Sequence, residues 1–190
     1  MDIFNNYPKK IYISRDVYCV QHDFIKNKKE HIDKLKKYRN LFNFFCVDTK
    51  KTTTKMTKKF LDNISKNKNH LMYCIFYKKK LIGQYGIKYS GKKRIFLDNA
   101  LRFSALGGKK IFSIIEKKLL NLAVKNNFGY FVLITVNKKN LSAVNMHKRF
   151  KFKDARLICD VKDIVSYIKA KSKTPTDFFI KGLKIMNTFK

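Results

Sequence analysis

The sequence contains no apolar run that approaches the roughly 18 residues needed to span a bilayer. Its first residues, MDIFNNYPKK, lack the apolar core of a secretory signal peptide. Hydrophobic residues nevertheless make up 45% of the chain, which is typical of a globular protein and not of a disordered basic tail. We therefore expect a cytoplasmic protein with one domain over residues 1–190, in which 170–190 is a candidate C-terminal appendage.

The short motifs of several enzyme classes are also missing. There is no GxSxG elbow, no P-loop and no GxGxxG turn, so serine-hydrolase chemistry and the common nucleotide-binding loops find no support. The cysteines are Cys19, Cys46, Cys74 and Cys159. They form no CxxC pair, and we expect reduced thiols without a disulfide framework or a metal site.

Acidic residues are scarce: 13 Asp and Glu stand against 44 Lys and Arg, and the formal net charge is +31. The lysines are spread along the whole chain, and tryptophan is absent. This composition is best explained by an AT-rich genome, in which solvent-exposed positions fill with lysine. The alternative explanation is a polyanionic partner such as nucleic acid. Under either interpretation, the positive field attracts anionic ligands.

Hydrophobic periodicity and turn residues predict the order of the elements. The predicted strands cover residues 11–20 with a break near Arg15, 71–77, 81–89, 94–102, 130–136 and 156–161. The predicted helices cover residues 26–40, 56–64 behind a threonine cap, 111–125, 140–149 and 176–190. The interval 162–170 is ambiguous between helix and loop.

The stretch from Leu97 to Phe152 organises the rest of the chain. An extended segment ends at Gly107 and Gly108, and an amphipathic helix follows. The apolar stripe of that helix consists of Ile111, Ile114, Ile115, Leu119 and Leu122. The run YFVLITV then predicts a strand buried on both faces. Strand, glycine turn, helix and strand indicate a βαβ-like unit, in which ligands tend to bind at the first turn.

Within this stretch, residues 140–152 (NLSAVNMHKRFKF) resemble the last motif of the Gcn5-related N-acetyltransferase (GNAT) superfamily, Asn-x-x-Ala-x-x-Leu-Tyr-x-Lys-x-Gly-Phe. The matching positions are Asn140, Ala143, Met146, His147 and Phe152. Upstream, Gly107-Gly108-Lys109-Lys110 stands where that superfamily has its pyrophosphate loop. The resemblance covers residues 30–155, and Lys151 replaces the glycine of the last motif.

The resemblance implies an α/β (α+β) domain with the GNAT fold. That fold has a mixed, mostly antiparallel sheet of six to seven strands flanked by about four helices. It also implies an enzyme that transfers acetyl from acetyl-CoA to a primary amine and uses no metal. The implied cofactor-binding residues are Asn99, Leu101, Arg102, Gly107, Gly108, Lys109, Lys110, Ile111 and Asn140. Unpaired backbone N–H groups at a helix start and flexible glycines suit a pyrophosphate.

The resemblance assigns two proton-handling residues. Asp98 is the candidate general base, because an amine must lose a proton before it attacks. His147 stands where the superfamily usually has the tyrosine that protonates the departing thiolate, and imidazole can donate a proton near neutral pH.

The acceptor amine is open among three alternatives. Asp98-Asn99-Ala100-Leu101-Arg102 followed by a loose Gly-Gly loop is similar to GNAT members of surface-polysaccharide loci, which favours a nucleotide-linked amino sugar. Tyr38-Arg39-Asn40 resembles an element of GNAT members that act on ribosomal-protein N-termini or amino sugars, so a protein N-terminus is the second alternative. From another class, a catalytically eroded GNAT fold would bind RNA or a ribonucleoprotein assembly through its positive charge. A dimer is plausible, and the sequence leaves the oligomeric state open.

Overall fold

The structure is a computed structural model that describes residues 3–108, 110–126 and 130–184. In chain order, its strands and helices are β1 (Lys10–Tyr12), β2 (Val17–Gln21), α1 (Lys28–Leu41), α2 (Thr54–Lys66), β3 (His70–Tyr77), β4 (Lys80–Tyr89), β5 (Arg94–Arg102), α3 (Ile111–Asn126), β6 (Phe131–Asn137), α4 (Leu141–Arg149), β7 (Lys153–Asp154), α5 (Lys162–Lys171) and β8 (Phe178–Lys184). Short 3-10 turns cover His22–Phe24, Asn43–Phe45, Ala155–Leu157 and Pro175–Asp177.

Three helices begin at polar side chains that accept a hydrogen bond from the first turn. Asn27 accepts from the Glu30 amide at the start of α1. Thr53 does the same for α2, and Asn140 for α4. These caps satisfy backbone N–H groups that have no partner inside the helix, so the local sequence determines where each helix starts.

The strands form one sheet in the order β1-β2-β3-β4-β5-β6-β8-β7. Only β5 and β6 pair in parallel, and the other neighbours are antiparallel. Because β5 and β6 run in the same direction, their carboxyl ends lie at the same edge of the sheet. Helix α3 lies between the two strands in the chain.

Buried side chains cover both faces of the sheet. On one face, Ile115 and Leu119 of α3 pack on strand residues such as Ile87. On the other, Leu35 of α1 and Leu61 of α2 pack against β3 and β4. Burial of apolar area on both faces supplies about 25 cal/mol for each square ångström removed from water.

The architecture confirms the mixed, mostly antiparallel sheet, with more elements than predicted. The described residues contain eight strands and five α-helices, where the sequence predicts six or seven strands and about four helices. Strand β2 and the short β1 come from the predicted first strand, which breaks where it was expected to break. Residues 162–170, ambiguous in sequence, belong to α5. In the described part of the chain, no helix has the length and apolar content that a bilayer crossing needs.

Two predicted elements are wrong. Residues 156–161 were predicted as a strand, but a 3-10 turn ends at Leu157, whose side chain is 80% exposed. The predicted terminal helix 176–190 is strand β8 over Phe178–Lys184, and 185–190 lie outside the described residues. Strand β8 pairs with β6 along its whole length, so long-range pairing overrides the local helical spacing.

Candidate active site

A wedge opens between β5 and β6 at the carboxyl edge of the sheet. Their parallel pairing comprises three residue pairs, from Arg94 opposite Phe131 to Phe96 opposite Leu133. Strand β5 then continues to Arg102 and β6 to Asn137 without further pairing between them. Backbone groups that a regular sheet would pair are therefore presented to a ligand along the two diverging strands.

A bulge bends β5 inside this wedge. Gln84 of β4 faces Leu101 and Gly86 faces Asp98, so two residues of β5 lie opposite Tyr85 alone. One of them, Asn99, has a positive φ of 51°, a conformation that Asn tolerates better than most residues. Bulges of this kind re-aim side chains beside functional sites. The bulge places Asp98 and Leu101 at the mouth of the wedge.

The glycine loop lies immediately before α3. Gly107 and Gly108 have φ values of +81° and +80°. A Cβ on Gly107 would lie 2.6 Å from Ile111 Cδ1, whereas a Cβ on Gly108 would point into open space. Together they let the backbone turn sharply into the first turn of the helix, where free N–H groups and the helix dipole favour an anion.

The predicted loop residues have different roles in this arrangement. Lys110 is exposed beside the helix start. Ile111 is 3% exposed and packs into the core, so only its backbone can contact a ligand. Lys109 lies outside the described residues.

Arg102 folds over the loop and organises it. Its Nε donates to the Ser104 carbonyl at 2.6 Å, and its Nη2 donates to the carbonyls of Ala105 at 2.7 Å and Gly108 at 2.9 Å. These bonds draw loop carbonyls toward the guanidinium. Arg102 therefore shapes the candidate phosphate loop. From the sequence alone, the N–H groups of its guanidinium would be expected to face solvent or a phosphate.

Asp98 lies beside the bulge with its carboxylate 37% exposed. Its Oδ1 accepts from the Asn99 amide at 2.7 Å, and its Oδ2 lies 3.8 Å from Nε2 of buried His70. Burial lowers the pKa of His70 despite the neighbouring carboxylate. Burial raises the pKa of Tyr167 on α5, and the charges of Asp48 and Asp98 add smaller contributions in the same direction.

The segment between α1 and α2 is held in place by the end of α1. Arg39 donates to the Asp48 carbonyl. Asn40 exchanges two hydrogen bonds with Thr52, at 2.9 Å through its Nδ2 and at 2.7 Å through its Oδ1. The Tyr38-Arg39-Asn40 element thus builds the loop that borders the Asp98 side of the wedge.

The same segment reaches the end of β6. Asn137 Nδ2 donates to the Phe44 carbonyl at 3.3 Å, and Val47 packs on the cluster that contains Leu133. Phe44 itself is 57% exposed.

Helix α4 carries the two remaining predicted residues. Asn140 caps it, with Oδ1 accepting from the Ala143 amide at 3.2 Å, directly after the wedge strand β6. His147 is 7% exposed, and its Nε2 lies 3.1 Å from Oε1 of Glu116 on α3. The Tyr85 hydroxyl donates to Oε2 of the same carboxylate at 2.5 Å. Burial and the Glu116 charge raise the pKa of Tyr85 well above its usual range.

Sequence reasoning missed the buried group that engages His147. Glu116 is fully buried among the apolar side chains of α3 and joins that helix to α4 and β4. A signal for it exists in the sequence, because Glu116 lies between Ile115 and Leu119, two residues of the predicted apolar stripe. A carboxylate at such a position needs a partner when it is buried.

Neither a protein-family model nor a curated protein matches the sequence. Solved structures do match the fold. The microcin C7 self-immunity acetyltransferase MccE, in complex with acetyl-CoA and AMP, is 14% identical, with a TM-score of 0.68 over 94% of this chain and 97% of that one. RimL, the ribosomal L7/L12 α-N-protein acetyltransferase in complex with coenzyme A, is 13% identical, with a TM-score of 0.67 over 93% and 98%.

A third match is the N-acetyltransferase PseH of Campylobacter jejuni, 14% identical, with a TM-score of 0.58 over 88% of this chain and 97% of that one. At these identities the likeness is one of fold. The chain therefore has the fold of the Gcn5-related N-acetyltransferases.

Proposed function

We propose that the protein is an N-acetyltransferase that moves acetyl from acetyl-CoA to a primary amine. The observation that carries the proposal is the wedge between β5 and β6, whose mouth adjoins a loop of two left-handed glycines at a helix start. This combination offers backbone groups to amides and phosphates at one edge. Structures of the same fold are described in complex with acetyl-CoA or coenzyme A.

The cofactor residues divide by the part of acetyl-CoA that they hold. The Leu101 backbone is assigned to a pantetheine amide along β5. The Asn99 amide already donates to Asp98 Oδ1 and its carbonyl accepts from Gln84 Nε2, so Asn99 is assigned to the cofactor through its side chain. The amides of Gly107, Gly108 and Ile111 bind the pyrophosphate, and Lys109 and Lys110 add positive charge. Arg102 keeps the loop in shape through its carbonyl bonds. Asn140 uses its Oδ1 as a helix cap, while its Nδ2 is the donor for a pantetheine carbonyl.

Acetyl-CoA supplies a thioester carbonyl that an unprotonated amine can attack. Asp98 takes the proton from the acceptor ammonium at its exposed carboxylate. His147 is assigned the protonation of the departing sulfur through Nδ1, because Nε2 is engaged by Glu116. Nδ1 is buried and has no hydrogen-bond partner among the described residues, so a shift of this side chain or of α4 must bring it to the sulfur. The buried Glu116 carboxylate fixes the orientation of the imidazole through Nε2.

The favoured acceptor is the amine of a nucleotide-linked amino sugar in surface-glycan synthesis. The segment Asp98–Arg102 supports it by resemblance, and PseH is an N-acetyltransferase of the same fold. The acidic Asp98 and Asp48 suit a cationic amine, while the strong positive charge of the protein suits a nucleotide diphosphate.

A protein N-terminus is the second enzymatic choice, supported by the likeness to RimL. The hydrogen bonds of Arg39 and Asn40 hold the segment between α1 and α2 in place. The Tyr38-Arg39-Asn40 resemblance therefore also has a structural explanation.

Calorimetric titration with acetyl-CoA at low and raised salt tests the proposal. Gly108→Asp puts a carboxylate into the loop and is expected to lower the affinity at least tenfold, about 1.4 kcal/mol. Gly91→Asp is the matched control, because Gly91 has a φ of +75° and open space at its Cβ but lies in the β4–β5 turn. Strain is therefore the same in both variants, and only the position of the charge differs.

Tight binding that survives salt and fails in Gly108→Asp alone supports the acetyltransferase. Acetyl transfer to a UDP-linked amino sugar, the free amino sugar and a ribosomal-protein N-terminal peptide then identifies the acceptor. If acetyl-CoA binds weakly and equally to all three proteins, the proposal is wrong. Tight RNA binding under the same conditions would then favour the eroded, polyanion-binding fold.

A further inference from the structure

A second polar cluster lies on the opposite face of the sheet from α3. It consists of His22, which follows β2, His31 of α1 and Cys74 of β3. Their exposed fractions are 5%, 0% and 0%. The proposed acetyl transfer uses none of them. Polar side chains buried this deeply in an apolar core require a specific reason to be there.

The three side chains present ligand atoms to one point. Nδ1 of His22 lies 2.8 Å from Nδ1 of His31, and Cys74 Sγ lies 3.4 Å from the same His31 nitrogen. All three ligand atoms lie within 4.8 Å of one another. Two imidazole nitrogens and a thiol form a donor set that binds zinc and other soft divalent cations and not magnesium or calcium.

The Nε2 edge of the His31 ring has the hydrogen bond that is typical of a metal-binding histidine. Its Nε2 lies 2.7 Å from Oε1 of buried Gln84, so Nε2 carries the proton and donates to that oxygen. The lone pair therefore lies on Nδ1, which faces His22 and Cys74. A hydrogen bond from the outer ring nitrogen to a carbonyl fixes both the tautomer and the orientation of ligating histidines.

We propose that His22 Nδ1, His31 Nδ1 and Cys74 Sγ bind a Zn²⁺-class cation, with water as the fourth ligand. Zinc bonds of about 2.0 Å to nitrogen and 2.3 Å to sulfur put tetrahedral ligands about 3.3 Å apart for N and N and 3.5 Å for N and S. The observed 3.4 Å between Cys74 Sγ and His31 Nδ1 matches this spacing. The other sulfur-to-nitrogen separation, from Cys74 Sγ to His22 Nδ1, lies within 4.8 Å in the metal-free structure and becomes about 3.5 Å when the cation binds. The 2.8 Å between the two Nδ1 atoms is a hydrogen-bond length. In the metal-free protein, His22 Nδ1–H donates to His31 Nδ1.

Binding then exchanges protons for the cation. Cys74 loses its thiol proton to solvent and ligates as a thiolate. The proton on His22 moves from Nδ1 to Nε2, so that ring stays neutral, and the two histidines separate by about half an ångström. One proton is released for each cation bound, and no oxidant or reductant takes part.

Titration of the metal-free full chain with Co²⁺ tests the site without any acetyl-transfer assay. We expect one equivalent to give the visible absorption of a tetrahedral ion and a near-ultraviolet sulfur-to-cobalt band, both removed by one equivalent of Zn²⁺. Cys74→Ser should lose the sulfur band and at least tenfold in affinity. Cys19→Ser is the matched control, since Cys19 is a buried cysteine of the neighbouring strand β2 outside the cluster.

Release of one proton per Zn²⁺, measured calorimetrically in two buffers, is a second readout that needs no variant. His22→Gln supplies another if Cys74→Ser does not fold, and it should lower the affinity while keeping the sulfur band. The inference is overturned if the wild-type chain shows no sulfur-to-cobalt band, or if Cys74→Ser binds as the wild-type chain does. The cluster is then a hydrogen-bonded core, and the acetyltransferase proposal is unaffected.

Discussion

At the scale of single residues, one buried glutamine connects the two proposed sites. Gln84 Oε1 accepts from His31, and its Nε2 donates to the Asn99 carbonyl at 3.2 Å. Asn99 is the left-handed residue of the β5 bulge. The amide thus ties the shape of the wedge to the orientation of a proposed metal ligand. Fully satisfied buried networks of this kind rigidify the residues that they join.

Gln84→Met removes both hydrogen bonds while keeping the size of the side chain. We expect the acetyl-CoA affinity to fall several-fold, because the bulge loses its anchor, and the Co²⁺ affinity to fall about 10- to 100-fold, because His31 loses its outer partner. Calorimetry and cobalt absorption measure the two effects. Gln21→Met is the control, since buried Gln21 bonds the Tyr7 and Pro8 carbonyls elsewhere. Equal losses in both variants would show general destabilisation instead.

At the scale of elements, a buried arginine joins β5 to α5. Arg94 is 2% exposed, and its two terminal nitrogens bond the Asp163 carboxylate at 2.8 and 2.7 Å. The same guanidinium also donates to the carbonyls of Ser90 and Asp160. This junction therefore fixes α5 against the first residue of β5.

The Arg94–Asp163 pair predicts a dependence of stability on pH. Hydrogen bonding to Arg94 lowers the pKa of Asp163 below its ordinary value. The pair therefore stabilises the folded protein above the unfolded pKa of about 3.9, and this stabilisation is lost as the pH falls toward the folded pKa. Asp163→Asn should lower the free energy of unfolding by about 0.5–1 kcal/mol at pH 7, because Arg94 loses its charged partner while solvent screens the Asp163 carboxylate, which is 54% exposed.

Urea unfolding at several pH values measures this effect. The difference between the wild type and Asp163→Asn is expected to shrink steadily below pH 4, where the wild-type carboxyl also becomes protonated. Asp33→Asn on the exposed side of α1 is the control and should change little. A difference that persisted unchanged in acid would mean that the carboxylate charge has no part in the junction.

Strand β8 is one of the two elements that sequence reasoning assigned wrongly. Its centre, Gly182, lies so close to Leu133 and Ile158 that a Cβ would approach their side chains to 2.9 and 2.7 Å. The local sequence FFIKGLK is compatible with a helix or a strand. Pairing with β6 and this close packing decide the choice, and both depend on residues more than 20 positions away.

At the scale of the whole molecule, the charge of +31 affects how ligands arrive. Dispersed positive charge raises the rate at which an anion reaches the protein, and salt screens it over about 8 Å at physiological ionic strength. The short-range bonds of the glycine loop act after arrival. Charge and site therefore contribute to different kinetic steps.

Stopped-flow binding of acetyl-CoA at rising salt separates these steps. We expect the association rate to fall severalfold while the dissociation rate changes little. Acetyl-pantetheine, which lacks the phosphates, is the control and should show no salt dependence of its association rate. A salt effect confined to dissociation, or shared by both ligands, would contradict the role assigned to the net charge.

The local parts of the site were predictable from sequence. Gly107 and Gly108 precede one amphipathic helix, and Asn140 precedes another. The conformations at these positions follow from the residue types themselves. Glycine tolerates positive φ, and asparagine caps a helix, whatever the rest of the chain does. The caps, the antiparallel meander and the buried strand β6 follow from the same nearest-neighbour preferences.

Contacts between distant segments were decided only by the tertiary structure. The His147–Glu116 pair joins residues 31 positions apart, and Cys74 lies 43 positions from His31. His22 and His31 are only nine positions apart but belong to separate elements. The splay of β5 from β6 and the insertion of β8 likewise depend on the packing of whole elements. Sequence patterns thus determined the type and order of most elements, because backbone preferences are local. The fold determined the sites, because burial and long-range pairing bring their side chains together.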